Sequence, residues 1–221
     1  MSSIVGGLAR FRRRALSRVR GDLNLNRLVA QGMKLGEGCH ISPLVYIDGR
    51  HPWLIEIEDY VTLAPHSSII VHDASFAHYT NQTRLGRVIV HKRAYVGVGA
   101  ILLPGTIIGE DSVVAAGAVI HGVVPPGSLV QGNPGKVTPL KAAVAWQRAS
   151  ARRAPSWPYR GWAIDTGITE ERKEEQREAL ADAASGYIQA RAAPDSPYER
   201  EAQREESKAE APEAQAEEVD V

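Results

Sequence analysis

An aliphatic residue recurs at every sixth position through the centre of the chain. The series runs unbroken through Val90, Val96, Leu102, Ile108, Val114 and Ile120. A second series lies four residues after the first and holds small side chains at all positions but the last: Ala94, Ala100, Thr106, Ser112, Ala118 and then Val124. A period of six fits neither the 3.6 of a helix nor the 2 of a half-buried strand. The pattern therefore indicates neither an amphipathic helix nor an ordinary half-buried strand.

The same rule appears earlier in the chain, in two sets with a shifted phase. The first set is Leu35, Ile41 and Ile47, and the second is Ile57, Leu63 and Ile69. Insertions near 49–56 and 72–89 separate the sets. A fixed short repeat is typical of a solenoid, whose units bury their apolar faces against their neighbours. Six residues supply one strand and one corner, so three units complete a triangular coil. A β-sandwich fits less well, because its strands alternate at period 2 with uneven loops.

The stretch from Leu35 to Val137 resembles the hexapeptide-repeat acyltransferases, which include galactoside, maltose and serine acetyltransferases and O-acetyltransferases of capsule sugars. The matching segments are IEDYVTLAPHSSIIVHD, AYVGVGAILLPGTIIGEDSVVAAGAVI and VPPGSLVQGNPGKV. The resemblance implies an all-β solenoid, a left-handed parallel β-helix with N- and C-terminal helical extensions. It also implies a homotrimer with active sites between subunits. The implied reaction transfers an acetyl or similar group from coenzyme A to a hydroxyl of a small, sugar-like acceptor, as in polysaccharide biosynthesis.

His72 is the candidate catalytic base. O-acylation needs a group that removes the hydroxyl proton, and neutral histidine suits this role. Of the seven histidines, His72 follows Ile69 at the end of a repeat set and opens a polar insertion. The resemblance places the catalytic histidine of the family here, followed by a loop over the cleft. The alternative is that His72 caps the coil and contacts water.

Three further residues are candidates for substrate binding. Asp73 could help to hold the imidazole of His72, although a backbone carbonyl is an equally good orienting group. His78 lies in the loop, where it touches the acceptor or, as we favour, is solvated. The resemblance places an acceptor-binding acid near Asp48, although Asp48-Gly49 is also an ordinary turn signal. The histidines at outward or corner positions are interpreted as surface residues: His40, His51, His91 and His121.

The resemblance implies that acetyl-CoA lies along the outside of the coils as a co-substrate, with no metal. The predicted cofactor-binding residues are Gly97, Val98, Gly99, Ala116, Gly117 and Lys136. Lys136 would supply a cation for the phosphates, whereas the glycines also suit the corners in their own right. Val98 departs from the family, which often has a serine here that stabilises the developing oxyanion. A backbone N–H or a water would have to serve instead.

Two other functions stay open. A γ-type carbonic anhydrase shares the β-helix and the trimer, and it holds zinc with histidines of neighbouring subunits. His66 and His72 are six residues apart, which does not match the shorter spacing of that family, and His40 or His51 would have to be the third ligand. A non-catalytic β-helix scaffold is the second alternative, favoured weakly by Val98. The long polar loop and the GNPGK segment fit acyl transfer better.

The two ends of the chain carry opposite charges. Residues 1–20 hold six arginines and no acid, whereas residues 195–221 hold ten acids. We expect four regions, which are a basic helix and linker at 1–28, the β-helix catalytic domain at 29–138, a C-terminal helical extension at 139–193 and a disordered acidic tail at 194–221. Within the extension, residues 139–152 should form a helix that caps the last coil. Thr169 should cap a helix from 170 to about 190.

The remaining features concern location and partners. No run of 18 apolar residues is present, so we expect no membrane span. Cys39 is the only cysteine, which excludes an internal disulfide. The N-terminal arginines follow the first apolar residues, an order that is wrong for a secretory signal.

We expect a cytoplasmic protein whose basic helix packs on the first coil or, as the less favoured alternative, docks on an anionic membrane surface. Nucleic acid is not an expected partner, because no aromatic platform accompanies the basic stretch.

Overall fold

The computed structural model of the chain describes residues 24–188. The predicted acidic tail at 194–221 and most of the predicted basic helix and linker at 1–28 lie outside them. The chain divides after Arg153 into two compact units, which we describe separately. None of the helices between residues 24 and 188 is long and apolar enough to cross a membrane.

The first unit opens with helix α1 (Leu25–Ala30), whose first turn is capped by the Asn24 side chain. The first coil holds β1 (Lys34–Leu35), β2 (His40–Ile41) and β3 (Tyr46–Ile47). A 3₁₀ turn at Pro52–Leu54 leads to the second coil, which holds β4 (Ile55–Ile57), β5 (Thr62–Leu63) and β6 (Ser68–Ile69). A hairpin insertion follows, built from β7 (His72–Asp73), α2 (Ala77–Thr80) and β8 (Arg84–Leu85). Both insertions lie where the change of phase predicted them.

After the hairpin the described coils follow one another without further insertions. The third coil holds β9 (Val88–Val90), β10 (Tyr95–Val96) and β11 (Ile101–Leu102). The fourth holds β12 (Ile107–Ile108), β13 (Val113–Val114) and β14 (Val119–Ile120). The last, incomplete coil holds β15 (Val123–Val124) and β16 (Ser128–Gln131), and β17 (Lys136–Pro139) folds back antiparallel on β16. Helix α3 (Leu140–Ala151) comes next and buries Leu140, which confirms the helix predicted at 139–152.

The strands stack into three parallel faces. Face 1 is β1-β4-β9-β12-β15, face 2 is β2-β5-β10-β13-β16 and face 3 is β3-β6-β11-β14. Between the third and fourth coils every paired residue is 18 positions from its partner, as in Val90 with Ile108 and Leu102 with Ile120. Three repeats of six therefore make one coil. The predicted all-β solenoid, a parallel β-helix, is confirmed.

The aliphatic series forms the core. Its members from Val90 to Ile120 are at most 3% exposed, and the small residues of the second series are buried beside them. Val124, the exception among the small residues, pairs with Ile108 and so occupies an inward aliphatic place. The reason is a shorter corner between β14 and β15, which shifts the phase by two residues.

The second unit contains β18 (Ser156–Trp157), helix α4 (Glu170–Ala181) and β19 (Tyr187–Ile188). The Thr169 side chain accepts a hydrogen bond from the Arg172 N–H, which confirms the predicted cap. The helix ends at Ala181 rather than near 190, because Tyr187 and Ile188 pair with Ser156 and Trp157 in a parallel ladder. This pairing joins residues that are distant in sequence, and it overrides the local helix propensity.

Candidate active site

Asp48 and His72 leave the solenoid from neighbouring strands of face 3. Asp48 directly follows β3, and His72 comes three residues after β6. The two strands are paired through Ile47 and Ile69, and the Asp48 N–H donates to the Ile69 carbonyl at 3.0 Å. Both residues lie where the chain passes from face 3 to face 1. We call this line of corners, which carries the insertions at 48–54 and 70–87, the insertion edge.

The Asp48 carboxylate is buried and fully engaged. Its Oδ1 accepts the Arg50 N–H at 3.0 Å, and its Oδ2 accepts the Val71 N–H at 3.1 Å. The same Oδ2 contacts Nδ1 of His72 in a short hydrogen bond. The side chain of Asp48 is 1% exposed and that of His72 is 24% exposed. The imidazole is thus held from within the protein while part of it stays accessible.

The surroundings of Asp48 keep it ionised. Burial raises the pKa of this carboxyl, but the hydrogen bonds from Arg50, His72 and Val71 together outweigh burial and hold the pKa below its ordinary value. An ionised carboxylate accepts hydrogen bonds only, so the shared proton lies on Nδ1 of His72. In the neutral ring the free lone pair is then on Nε2 of His72, and this tautomer can remove a proton from a substrate.

The group that orients His72 differs from both groups that the sequence suggested. Asp73 does not hold the imidazole, because its Oδ1 accepts the Ser75 N–H at 2.8 Å. Hydrogen bonds from the Ser75 N–H and hydroxyl are the main cause of the lowered pKa of Asp73. No backbone carbonyl fills the role among the described residues either, since Nδ1 of His72 is bonded to Asp48. The sequence signal for this pairing was present, because Asp48 and His72 each follow the end of a repeat set.

The hairpin after His72 is fastened to the same edge. Arg84 on β8 contacts Nε2 of His121 at 2.6 Å and donates to the Pro104 carbonyl at 3.3 Å. Helix α2 at the tip carries His78, which is exposed. A pocket in the hairpin is lined by Asp73, Phe76, Thr80, Gln82, Thr83 and Arg84. The pocket includes Asp73 but not His78.

His51 is the residue that sequence reasoning missed. It was interpreted as a surface residue, yet its ring lies 5.8 Å from that of His72 and is partly buried. The four extra residues between β3 and β4 bring it there. A count of the residues between the two repeat sets would have located this extra segment, although it would not have given the orientation of the ring.

The predicted cofactor-binding segments lie together on a second edge, where the chain passes from face 2 to face 3. The Gly117 N–H donates to the Val98 carbonyl at 2.8 Å, so the corners 97–99 and 115–117 are stacked. The Val119 N–H donates to the Gly132 carbonyl at 3.0 Å, which adds the segment 132–136 to the same stack. We call these three segments the glycine edge. Ala116 and Lys136 are exposed there.

Side chains on the glycine edge are small for a steric reason. A Cβ on Gly97 would lie 2.7 Å from both the Ala116 nitrogen and the Val114 oxygen. Gly99 and Gly117 instead need the left-handed conformation, with φ of 66° and 68°. Val98 is 48% exposed. Its N–H makes no hydrogen bond within residues 24–188.

The described part of one chain offers no set of ligands for a carbonic-anhydrase-like zinc site. Between residues 24 and 188, no three His, Cys, Asp or Glu side chains lie close enough together to hold a metal ion. His66 is exposed at a corner with φ of 60°, and His72 is bonded to Asp48.

Comparisons with known proteins point to acetyltransferases. No protein-family model matches the chain. A Bacillus subtilis protein named "Putative acetyltransferase YvoF" is 30% identical over 105 residues, which are 48% of this chain and 59% of that protein. A dTDP-3-amino-3,6-dideoxy-alpha-D-galactopyranose 3-N-acetyltransferase from Aneurinibacillus thermoaerophilus is 40% identical over 52 residues, 24% of this chain and 27% of that protein.

Solved structures with a similar fold include a hexapeptide-repeat acetyltransferase from Vibrio cholerae. It is 19% identical, its TM-score is 0.45, and the match covers 62% of this chain and 93% of that one. The chain spans less than two thirds of the length of the curated relatives that it matches. Over about half of its own length the chain is homologous to proteins named acetyltransferases, and this confirms the resemblance predicted from its repeat.

Proposed function

We propose that the chain is an acetyl-CoA-dependent O-acetyltransferase in which His72 is the general base. The observation that carries this proposal is the hydrogen bond between the buried Asp48 carboxylate and Nδ1 of His72. It leaves Nε2 without that bond, on a ring whose side chain is 24% exposed. Relatives named acetyltransferases support the reaction class.

The proposed reaction proceeds by direct transfer. Nε2 of His72 takes the proton of an acceptor hydroxyl as the oxygen attacks the thioester carbonyl of acetyl-CoA. The tetrahedral intermediate collapses with cleavage of the C–S bond, and the departing coenzyme A thiolate receives the proton from His72. Asp48 stabilises the imidazolium that forms in between, because its negative charge is buried in contact with the ring.

The oxyanion of the intermediate needs a donor that Val98 cannot supply from its side chain. The Val98 N–H lies on the glycine edge and makes no hydrogen bond within residues 24–188. We assign it as the donor, since a fixed backbone N–H stabilises developing negative charge without reorganisation. In the same proposal coenzyme A lies along the glycine edge, and Lys136 at its end pairs with the phosphates.

The separation of the two edges supports a homotrimer. His72 lies where face 3 leads into face 1, whereas the glycine edge lies where face 2 leads into face 3. On one chain the two edges are therefore at opposite ends of the face 3 strands. A threefold assembly can set the insertion edge of one subunit against the glycine edge of the next. Each active site would then be completed by two subunits.

The acceptor that we propose is a sugar. The dTDP-sugar acetyltransferase from Aneurinibacillus thermoaerophilus and an Escherichia coli protein named for O-acetyl transfer in lipopolysaccharide biosynthesis support this class. The insertion edge also offers polar and aromatic side chains around His72.

The test is coenzyme A release from acetyl-CoA by the purified, metal-stripped chain. The acceptor panel should contain free sugars, nucleotide sugars and amino acids, and product esters should be counted by mass spectrometry. We expect release that depends on a sugar acceptor and equals ester formation. No release with any acceptor would overturn the proposal, and CO₂ hydration restored by added zinc would replace it with the anhydrase function.

A further inference from the structure

The segment between β3 and β4 is longer than the repeat requires. Ile47 and Ile57 occupy consecutive inward places, yet they are ten residues apart instead of six. The extra residues include His51, whose ring lies near that of His72, and Trp53, whose ring contacts that of His51. Insertions that break a solenoid repeat lie outside the coils, where they are free to form a binding surface.

Contacts on both sides hold this segment in one conformation. The Arg50 N–H is bonded to Asp48, and the Leu54 N–H donates to the His51 carbonyl at 3.0 Å in the 3₁₀ turn. Pro52 is buried within the turn. The backbone of Trp53 lies on Gly32, where an added Cβ would come within 3.1 Å of the Trp53 Cβ. The side chains at 51 and 53 are thus presented by a fixed backbone.

The ring of His51 lies beside that of His72 and has one buried nitrogen, unpaired in the part of the chain that the structure describes. Its ring centroid is 5.8 Å from that of His72, with 52° between the planes. Nδ1 of His51 is buried and has no hydrogen-bonding partner among the described residues. A buried N–H without an acceptor destabilises the folded chain, so we place the ring hydrogen on Nε2. The partly exposed ring then offers an N–H donor close to the catalytic base.

Trp53 adds an exposed aromatic surface next to this donor. Trp53 is 59% exposed, and its ring meets that of His51 edge to face at 5.3 Å and 75°. An indole has only two side-chain torsions, so it supplies a large contact area at a low cost in conformational entropy. Aromatic faces accept flat apolar surfaces, and polar groups at the rim fix the orientation of a ligand. A pyranose ring has this combination, since its C–H face is apolar and its hydroxyls lie at the rim.

We propose that His51 and Trp53 form the acceptor subsite, in which a pyranose ring stacks on Trp53 and one of its oxygens accepts from Nε2 of His51. This arrangement would direct a neighbouring hydroxyl to Nε2 of His72. The inference rests on the proposed acetyl transfer for its catalytic consequence, and it names residues that set acceptor specificity.

The test compares variants of the full chain by steady-state kinetics and by saturation-transfer NMR of sugar binding. Trp53→Ala should raise the KM for the sugar about tenfold, the equivalent of one lost aromatic contact. The kcat and the KM for acetyl-CoA should change less than twofold, and Trp53→Phe should restore most of the affinity. His51→Ala should raise the sugar KM and weaken discrimination between sugars that differ at one hydroxyl. Trp146→Ala, which removes a 68% exposed tryptophan from α3, and His40→Ala are the matched controls.

The outcomes separate the subsite from the proposed reaction. Transfer by the wild type with an unchanged sugar KM in both variants would overturn the subsite and leave the acetyltransferase proposal standing. Sugar binding without any transfer, lost in Trp53→Ala but kept in Trp146→Ala, would support the subsite and overturn the reaction. Neither binding nor transfer by the wild type would overturn both.

Discussion

The insertion edge and the glycine edge belong to the same solenoid but are built by opposite means. Along the insertion edge the repeat is interrupted twice, and side chains such as Asp48, His72 and Arg84 make the contacts that hold it together. Along the glycine edge the repeat continues, and backbone groups make the contacts, as between Gly117 and Val98. One edge carries reactive side chains, whereas the other has almost none.

This difference shows how a regular scaffold acquires chemistry. A six-residue repeat places identical corners above one another, so an uninterrupted edge offers a groove of backbone and small residues. Such a groove suits a long, amide-rich ligand. Where the repeat is broken, residues from successive coils are free to meet, as Asp48 and His72 do. Substitutions at the insertion edge should therefore change activity more than stability, and substitutions at the glycine edge should do the reverse.

The largest expected effect tests the insertion edge. His72→Ala removes the proposed base, so kcat should fall by about 10²- to 10⁴-fold. The free energy of unfolding should change little by comparison, since the imidazole is partly exposed. Acetyl-CoA affinity, measured by calorimetry, should stay at the wild-type value because the glycine edge is untouched.

His40→Ala is the control for this substitution. His40 is an exposed, outward residue of β2 on face 2, and its loss should leave kcat unchanged. Wild-type turnover by His72→Ala would remove His72 from the mechanism. Equal losses in both variants would show that the effect is not specific to the insertion edge.

The next effect tests the glycine edge. Gly97→Ala would place a Cβ 2.7 Å from two backbone atoms of the neighbouring coil, and we expect about 3 kcal/mol of destabilisation from overpacking. Gly99→Ala meets open space and has only its φ of 66° to accommodate, at a cost of about 1–2 kcal/mol. Urea unfolding at one fixed protein concentration should give Gly97→Ala a clearly lower free energy of unfolding than Gly99→Ala. The reverse order would mean that the left-handed backbone conformation, rather than the close stacking of the corners, determines which side chains this edge tolerates.

The two edges also differ in how far the sequence predicts them. The repeat alone predicts which residues point inward, because each period of six adds one strand. The members of all three aliphatic sets lie on the strands of the three faces. Handedness came only from the resemblance. The three segments of the glycine edge are stacked as the repeat implies.

Prediction was weaker wherever an insertion interrupts the register. His72 was recognisable from its place after a repeat set, but its partner Asp48 lies 24 residues earlier and reads locally as a turn residue. His51 reads as a surface residue for the same reason. The positions of these side chains depend on the path of the insertions, which no periodic rule specifies. Helix α4 shows the same limit, because a distant pairing of strands ends it.

The smallest effect that we predict concerns the buried charge of the insertion edge. Asp48 has a lowered pKa in the folded chain, so the folded state binds its proton less readily than the unfolded state does. The stability from this carboxylate is therefore fully present above the unfolded pKa of about 4, and it is lost as the pH falls through the folded value. Asp48→Asn keeps the shape of the side chain but removes the charge, and should cost about 2 kcal/mol at pH 7, the size of a charged hydrogen bond.

The gap in unfolding free energy between the wild type and Asp48→Asn should narrow as the pH falls below about 4. Asp73→Asn is the matched control, since Asp73 is also a carboxylate with a lowered pKa but bonds locally to Ser75 on the hairpin. The difference in unfolding free energy between the wild type and Asp73→Asn should be smaller at pH 7 than that for Asp48→Asn. The reason is that a partly exposed carboxylate keeps much of its solvation. A difference in unfolding free energy for Asp48→Asn that stays constant from pH 7 to pH 3 would mean that the shape of this side chain, rather than its charge, holds the imidazole. The insertion edge would then not be stabilised by charge, and it would not differ from the glycine edge in this respect.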